Sequence, residues 1–342
     1  MKIFTVFNPV SGAKKWSNVP EVVKETLKKN DHEFFWFETQ KTARGEWQNF
    51  PLAKIAGADK IIVIGGDGTV SEVIDFLLRN KLKIPLIILP CGSANLLAGS
   101  LGIFPSPLGV GIGAALEKSL KNTAPQLLDA MLVNRSRYGM IAVGRGYDAF
   151  VMKETARPLK RKFGLFAYAL TILKTALFYR AAPYRLTVDG TRHHVFAKTI
   201  VVINILPLPK FLINPRDGIL DVFALTGRHR LLHYTGKNIS IKAKKELRFE
   251  IDGEVFKGKT VTIEVIRNAV QIAGDHSAPT RVGKAAKPSA LTRPRPPTPS
   301  AVSHSNKSSI LFEFGGGAAC RKPSQSCPCQ YLLARVTRSS PP

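Results

Sequence analysis

The sequence predicts an α/β domain with a doubly wound parallel sheet, then an antiparallel β-sandwich or flattened barrel, then a low-complexity tail. Three observations carry this reading. Apolar, β-branched runs alternate with polar loops and helix-like stretches as far as residue 126. Over residues 127–273 that rhythm gives way to short β-rich segments separated by turn signals. From Gly274 to Pro342 the composition shifts to Pro, Ser, Ala and Arg, with ten of the 23 prolines, which reads as a disordered extension.

The 342 residues are enough for two domains, each with its own core. An apolar content of 44% fits a soluble globular chain. The formal net charge of +26 favours an anionic partner, namely a membrane surface, a polyphosphate or nucleic acid. Residues 275–342 hold 10 Lys/Arg against 2 Asp/Glu, so most of the excess belongs to the body. Cys91 stands alone there, and Cys320, Cys327 and Cys329 lie in the tail. That is no disulfide framework, so a reducing cytosol is the expectation. Cys327-Pro328-Cys329 also lacks the two-residue knuckle of a zinc site. Pro9 and Ser11-Gly12 cut the first apolar run too short for a signal peptide. No stretch approaches the roughly 20 apolar residues that cross a bilayer, so any membrane contact is expected to be peripheral.

Taken in order, Lys2–Phe7 reads as a strand ending at Asn8-Pro9-Val10-Ser11-Gly12. Trp16–Lys29 has helical spacing, with Val19, Val22, Val23 and Leu27 on one side. His32–Glu38 is an aromatic-rich strand stopping at Thr39, and a helical stretch over Gly45–Ala56 follows. Ile61–Ile64 is a strand buried on both faces. Gly65-Gly66-Asp67-Gly68-Thr69 comes next, with a helix from Val70 that Thr69 is expected to cap. Pro85–Leu89 is another buried strand, closed by Pro90-Cys91-Gly92-Ser93-Ala94-Asn95, and a helix runs from Ala94 to Leu101. The three loops all leave strand C-termini, where open α/β sheets bind ligands.

Glycines in such loops let backbone N–H groups approach a phosphate, and a helix N-terminus faces the same anion. A carboxylate beside a polyphosphate is repulsive without a cation, so Asp67 suggests Mg²⁺. The plain alternative is a tight turn with an Asp cap. Gly109–Gly113 and Gly144-Arg145-Gly146 carry fragments of a nucleotide fingerprint, but without its context they read as turns or helix packing.

In the second domain the β-rich segments are 128–134, 138–143, 184–188, 195–205, 219–225, 239–241, 247–251 and 261–266. Asp189-Gly190 and Asp252-Gly253 favour tight hairpins. One helical stretch, Phe150–Phe178, interrupts them and carries the basic run Arg157–Lys162. This run suits contact with an anionic lipid surface, while the apolar face beside it reads as a helix packed over the sheet.

In order and spacing, the loops at 8–12, 65–69 and 90–95, with Asp217-Gly218 and Asp252-Gly253-Glu254 downstream, resemble the diacylglycerol kinase catalytic family. That family includes bacterial YegS-like lipid kinases and the sphingosine and ceramide kinases. The resemblance spans residues 1–272 and implies an ATP- and Mg²⁺-dependent lipid kinase, with ATP between an α/β domain and a β-sandwich. It implies nucleotide contacts from Asn8, Pro9, Ser11, Gly12 and Thr39. Around the phosphates it implies Gly65, Gly66, Asp67, Gly68, Thr69, Glu72, Gly92, Ser93 and Asn95. Asp67 would organise Mg²⁺; Asp217, Asn214 and the Ile219 carbonyl would hold a structural metal. Glu254 matches a proposed general base with Asp252 beside it; on residues alone the pair is also an ordinary hairpin with a solvated Glu.

Ser71 and Ser93 depart from the family's usual Asn and Thr. Diacylglycerol is the leading acceptor, with sphingosine or ceramide, NAD, or a catalytically inactive lipid-binding module as alternatives. The expected partners are a membrane lipid substrate and an anionic membrane surface, at the cytoplasmic face of the inner membrane. A homodimer is a further expectation, and nucleic acid is not expected.

Overall fold

The computed structural model describes residues 1–11, 18–40, 49–92, 94–103, 111–146, 180–206 and 213–274. The expected helix over Phe150–Phe178, its basic run, Gly12, Ser93 and the tail cysteines lie outside the described residues.

The first unit comprises β1 (Lys2–Phe7), α1 (Val19–Lys29), β2 (Glu33–Glu38), α2 (Leu52–Ala56), β3 (Lys60–Gly65), α3 (Asp67–Arg79), β4 (Leu86–Pro90), α4 (Leu96–Ser100) and α5 (Ile112–Lys121). Its strands pair in parallel in the order β4-β3-β1-β2. Period-two alternation splits β3 between two cores. Ile61 and Val63 pack with Val70, Val73 and Ile74 of α3, whereas Ile62 and Ile64 pack with Val23 and Leu27 of α1 and Leu116 of α5. Covering both faces is what demands an unbroken apolar run, and it makes the sheet doubly wound.

The second unit follows as β5 (Gln126–Val133), β6 (Arg137–Gly139), β7 (Ala142–Gly146), β8 (Ala182–Val188), β9 (Thr191–Ile203), β10 (Leu220–Thr226), β11 (Leu231–Gly236), β12 (Asn238–Ile251) and β13 (Glu254–Ile272). Both β7 and β8 bridge β9 to β12, so these four strands close around an apolar core that includes Val143, Leu186, Val202 and Ile241. The predicted hairpins form: Asp189-Gly190 has φ of 45° and 81°, and Asp252-Gly253 has 48° and 94°. Two successive positive φ values are the mark of a type I′ turn. The end of β13 rejoins the first sheet, where Ile272 pairs in parallel with Leu86 and Ala273 N–H donates to the Leu86 carbonyl at 2.8 Å.

Several expectations change. Helix α3 starts at Asp67 rather than Val70, with Gly66 as its N-cap, so Thr69 does not cap it. The Thr69 hydroxyl instead accepts the Asn8 amide N–H at 2.8 Å. Gly144-Arg145-Gly146 is neither turn nor helix contact but strand β7, hydrogen-bonded between β9 and β12. Segments 239–241 and 247–251 are one strand, because the charged stretch between them forms a bulge and not a loop. Conversely, 138–143 is two strands, broken at Met140-Ile141 where backbone N–H groups turn to the Asp252 carboxylate. The packing expectation holds around Gly113 in the unpredicted helix α5. A Cβ there would lie 3.1 Å from Thr26 Oγ1 of α1.

Candidate active site

The three glycine-rich loops converge where the strands of the first sheet end. Asn8 leaves β1 with its N–H on the Ile64 carbonyl at 2.9 Å, and its side-chain oxygen accepts the Val10 N–H at 3.1 Å. Cys91 N–H donates to the Gly65 carbonyl at 2.8 Å, tying the third loop to the second. Their closest approach requires glycine. A Cβ on Gly92 would lie 2.6 Å from Gly66 Cα and 2.7 Å from Asn95 Oδ1, and one on Gly65 would strike Thr69 at 2.8 Å. Ser11 Oγ borders the same point, 3.3 Å from where a Gly66 Cβ would be. Asn95, at φ 48°, closes its loop on Gly92 through two hydrogen bonds of 2.9 and 3.0 Å. Thr39 ends β2, buried, with its N–H on the Phe7 carbonyl at 2.8 Å. Pro9 lies exposed in the first loop and Glu72 half-buried on α3.

Helix α3 is the centre of this arrangement. Its first intrahelical bond runs from Val70 N–H to the Gly66 carbonyl, so the N–H groups of Gly68 and Thr69 emerge at the loop junction, while that of Asp67 turns to its own carboxylate. No atom beyond its own turn comes within 4 Å of the Cβ position at Gly68, which leaves room for a ligand at that end. Such an end suits an anion. The helix also carries a polar stripe of Asp67, Ser71 and Asp75, spaced by four and therefore on one face. The Asp67 carboxylate accepts the N–H groups of Leu96 (3.0 Å) and Leu97 (3.1 Å), capping α4. Ser71 Oγ donates to Asp252 at 2.8 Å, and Asp75 accepts the Tyr138 N–H at 2.8 Å.

The stripe thus joins the two units at the hairpin between β12 and β13. Asp252 Oδ2 accepts from Ser71 and from Met140 N–H (2.6 Å), and Oδ1 from the N–H groups of Ile141 (2.8 Å) and Ala142 (3.0 Å). Burial pushes the Asp252 carboxyl above its usual range, against the pull of these four donors. Burial also raises Asp67, opposed by N–H groups of the α4 turn. Glu250 Oε2 holds the hairpin turn through Gly253 N–H at 2.6 Å. Glu254 opens β13 and is exposed. Its charge is felt by Arg137, whose guanidinium lies 4.9 Å from the centre of the Phe256 ring. The structure therefore gives the two carboxylates different settings: Asp252 is saturated with donors, and Glu254 faces solvent.

Asn214, Asp217 and Ile219 lie elsewhere, exposed on one turn before β10. Asp217 Oδ1 accepts the Ile219 N–H at 2.9 Å. Burial of its carboxyl raises Asp217 above its usual range, and the neighbouring charges of Asp221 and Asp129 add to this. Negative charge gathered at an exposed turn, with an amide and a carbonyl to hand, is a donor set that suits a hard cation. Among the described residues no group of three or more His, Cys, Asp or Glu forms a metal cluster. Mg²⁺ needs none, since it binds through one or two carboxylates, waters and phosphates. Both lone-pair-bearing oxygens of Asp67 already cap α4, so that carboxylate suits a hydrated ion better than a bare one.

Three buried polar residues outside the sequence motifs fasten these parts. Buried Asp129 accepts the N–H groups of Gly218 (2.7 Å) and Asn268 (2.9 Å). Asn204 Nδ2 bridges the carbonyls of Asp129 and Met140 at 2.9 and 2.8 Å, which connects the 214–219 turn to the Asp252 cradle. Lys60, also buried, donates to the carbonyls of Ser119, Leu120 and Asn122 and so caps the C-terminus of α5. The available signal was a charge inside an apolar strand: Asp129 in Leu127–Val133, Lys60 before Ile61.

Sequence comparison agrees with this layout. Residues 2–127 match the diacylglycerol kinase catalytic domain, and residues 141–234 match the YegS C-terminal NAD kinase beta sandwich-like domain. A candidate lipid kinase of Staphylococcus haemolyticus strain JCSC1435 is 26% identical over 240 residues, covering 63% of this chain and 76% of that protein. A candidate lipid kinase of Staphylococcus aureus strain bovine RF122 is 25% identical over the same length and shares. In fold, the chain resembles the crystal structure of a candidate diacylglycerol kinase from Bacillus anthracis strain Sterne. The TM-score is 0.65 at 21% identity, covering 80% of this chain and 97% of that one.

Proposed function

The chain belongs to the diacylglycerol kinase and YegS-like lipid kinase family, and we propose that it transfers the γ-phosphoryl group of ATP to a hydroxyl of a membrane lipid. Diacylglycerol is the leading acceptor and phosphatidic acid its product. One observation supports this most: the α3 N-terminus, where three glycine-rich loops meet, is tied through Ser71 and Asp252 to the hairpin bearing Glu254. In this reading the α3 N-terminus binds phosphate and the exposed Glu254 carboxylate meets the acceptor.

Phosphoryl transfer asks chiefly for positioning, charge neutralisation and a group to take the acceptor proton. The N–H groups of Gly68 and Thr69 bind the phosphates, with Gly65, Gly66, Gly92 and Ser93 around them; Asn8, Pro9, Ser11, Gly12 and Thr39 orient the nucleotide. Glu254 takes the hydroxyl proton as the lipid oxygen bonds to the γ-phosphorus and the bond to the β–γ bridging oxygen breaks, releasing ADP. Asp67 would hold Mg²⁺ through water, and Asn214, Asp217 and the Ile219 carbonyl would hold a second ion. When bound, Mg²⁺ would neutralise charge on the transferring group. The acceptor, a lipid, would be met at a membrane surface.

The test is a panel of acceptors. Purified full-length chain is incubated with γ-labelled ATP, Mg²⁺ and phosphatidylglycerol vesicles holding diacylglycerol, sphingosine, ceramide or monoacylglycerol, with NAD in a separate reaction. Labelled phosphatidic acid is the expected product. Label in NAD alone, or vesicle binding with no transfer to any lipid, would overturn the proposal.

A further inference from the structure

Two polar contacts at the seam between the two units do different jobs. Asp75 Oδ1 takes the Tyr138 N–H at 2.8 Å, and the same carboxylate meets Arg79 Nε at 2.7 Å. That contact fastens α3 to β6. One helical turn closer to the loop junction, Ser71 Oγ gives its single proton to Asp252 Oδ2 at 2.8 Å. Ser71 is buried, and this is the hydrogen bond from the stripe that reaches the hairpin.

Asp252 is poorly suited to remove a proton. Three N–H groups and one hydroxyl occupy its two oxygens, and the residue is held at φ 48° with its own N–H on the Ala142 carbonyl at 3.0 Å. It is well suited to transmit position, because it connects α3 to the 140–142 backbone and lies two residues from Glu254.

We propose that Ser71 is a positioning residue for phosphoryl transfer, its hydroxyl latching the Asp252 carboxylate so that Glu254 is held against the phosphate-binding end of α3. The inference rests on the lipid-kinase reading for its effect on turnover, but not for the latch itself. A displacement of about 1 Å at a reacting group can cost on the order of 100-fold in rate. The latch therefore governs kcat, while ATP binding, which depends on loops that Ser71 does not touch, is spared. Because Asp75 still fastens the seam, removing the Ser71 hydroxyl leaves the fold intact.

The test uses full-length Ser71→Ala, Ser71→Thr and Asp75→Asn, with diacylglycerol in phosphatidylglycerol vesicles as the probe. Ser71→Ala is expected to lower kcat by roughly 10- to 100-fold with KM for ATP within about twofold, by the misplacement argument above. Ser71→Thr, which keeps the hydroxyl, is expected to recover most of the loss. Unchanged kcat in Ser71→Ala, a loss confined to KM for ATP, or no recovery in Ser71→Thr would overturn the proposal. Amide hydrogen exchange is read alongside and needs no substrate. Ser71→Ala should exchange several-fold faster over 251–256, whereas Asp75→Asn should loosen 137–139 first. Unaltered exchange at 251–256 sinks the latch. Faster exchange there in a chain that phosphorylates no lipid would keep the latch and reject the lipid-kinase reading.

Discussion

Asp129 is a carboxylate in the middle of the apolar strand β5, 1% exposed, and its value lies in the two N–H groups it satisfies at Gly218 and Asn268. A buried donor left without an acceptor costs about 1–3 kcal/mol. Asp129→Ala is therefore expected to lose about 2–5 kcal/mol in urea unfolding, and a loss below 1 kcal/mol would show that the turn finds other acceptors. The same kind of accounting separates Asp252 from Glu254. Their spacing in sequence made them a pair of carboxylates at one hairpin tip, and the tip exists. What spacing alone could not convey is that Met140, Ile141 and Ala142, more than 100 residues away in sequence, would spend three N–H groups on only one of them. Glycines that punctuate a strand-end loop, such as Gly66 and Gly92, stood out in the sequence; residues whose partners lie far along the chain, such as Ser71 with Asp252 and Asn204 with the Asp129 and Met140 carbonyls, did not.

At the scale of elements, β3 and β4 were readable because burial on both faces forces an unbroken apolar run. The start of α3 was not, since Thr69 is taken by the Asn8 amide and Asp67 in the first turn by the N–H groups of α4. The Gly66–Gly92 approach gives a direct prediction. In Gly92→Ala the new methyl meets backbone at 2.6 Å, so the loops must separate. ATP affinity, read by calorimetry, is expected to fall at least tenfold while the far strands keep their amide protection. Unchanged affinity would mean that the junction does not hold the nucleotide. Cys91, in the same loop, packs among Ile62, Ile64 and Ile87, and burial pushes its thiol up to about 11. Only the thiolate alkylates. With the value raised, the neutral thiol persists through pH 8, and iodoacetamide should leave the Cys91 peptide unmodified in native protein but label it in urea. Rapid native labelling at pH 8 would contradict this placement.

For the whole molecule, the order of a parallel α/β sheet followed by a β-sandwich was plain in the sequence, because the change of rhythm near residue 127 is a change of hydrophobic period. The return of β13 to β4 was not, since one parallel pair at Ile272 leaves no local signature. That return makes the end of the second unit part of the first core, where Val270 and Ile272 pack with Val63 and Leu86. A chain ending at Gly274 is expected to keep the parent melting temperature, and one ending at Asn268 to unfold with loss of both units; independent melting of the sandwich would refute this coupling. Metal should act at the same scale. Mg²⁺ is expected to raise the melting temperature of the parent, and to do so less in Asp217→Ala, if the 214–219 turn takes an ion. Equal shifts in both would remove that turn from the account. We propose that Glu254 activates a lipid hydroxyl beside phosphates held at the α3 N-terminus. Single-turnover transfer of labelled phosphate from ATP to diacylglycerol by the parent and by Glu254→Gln tests it most directly. A fall of about 100-fold or more in the variant, in the range of general-base removal, with ATP binding unchanged, is the predicted result; a Glu254→Gln rate equal to that of the parent would contradict it.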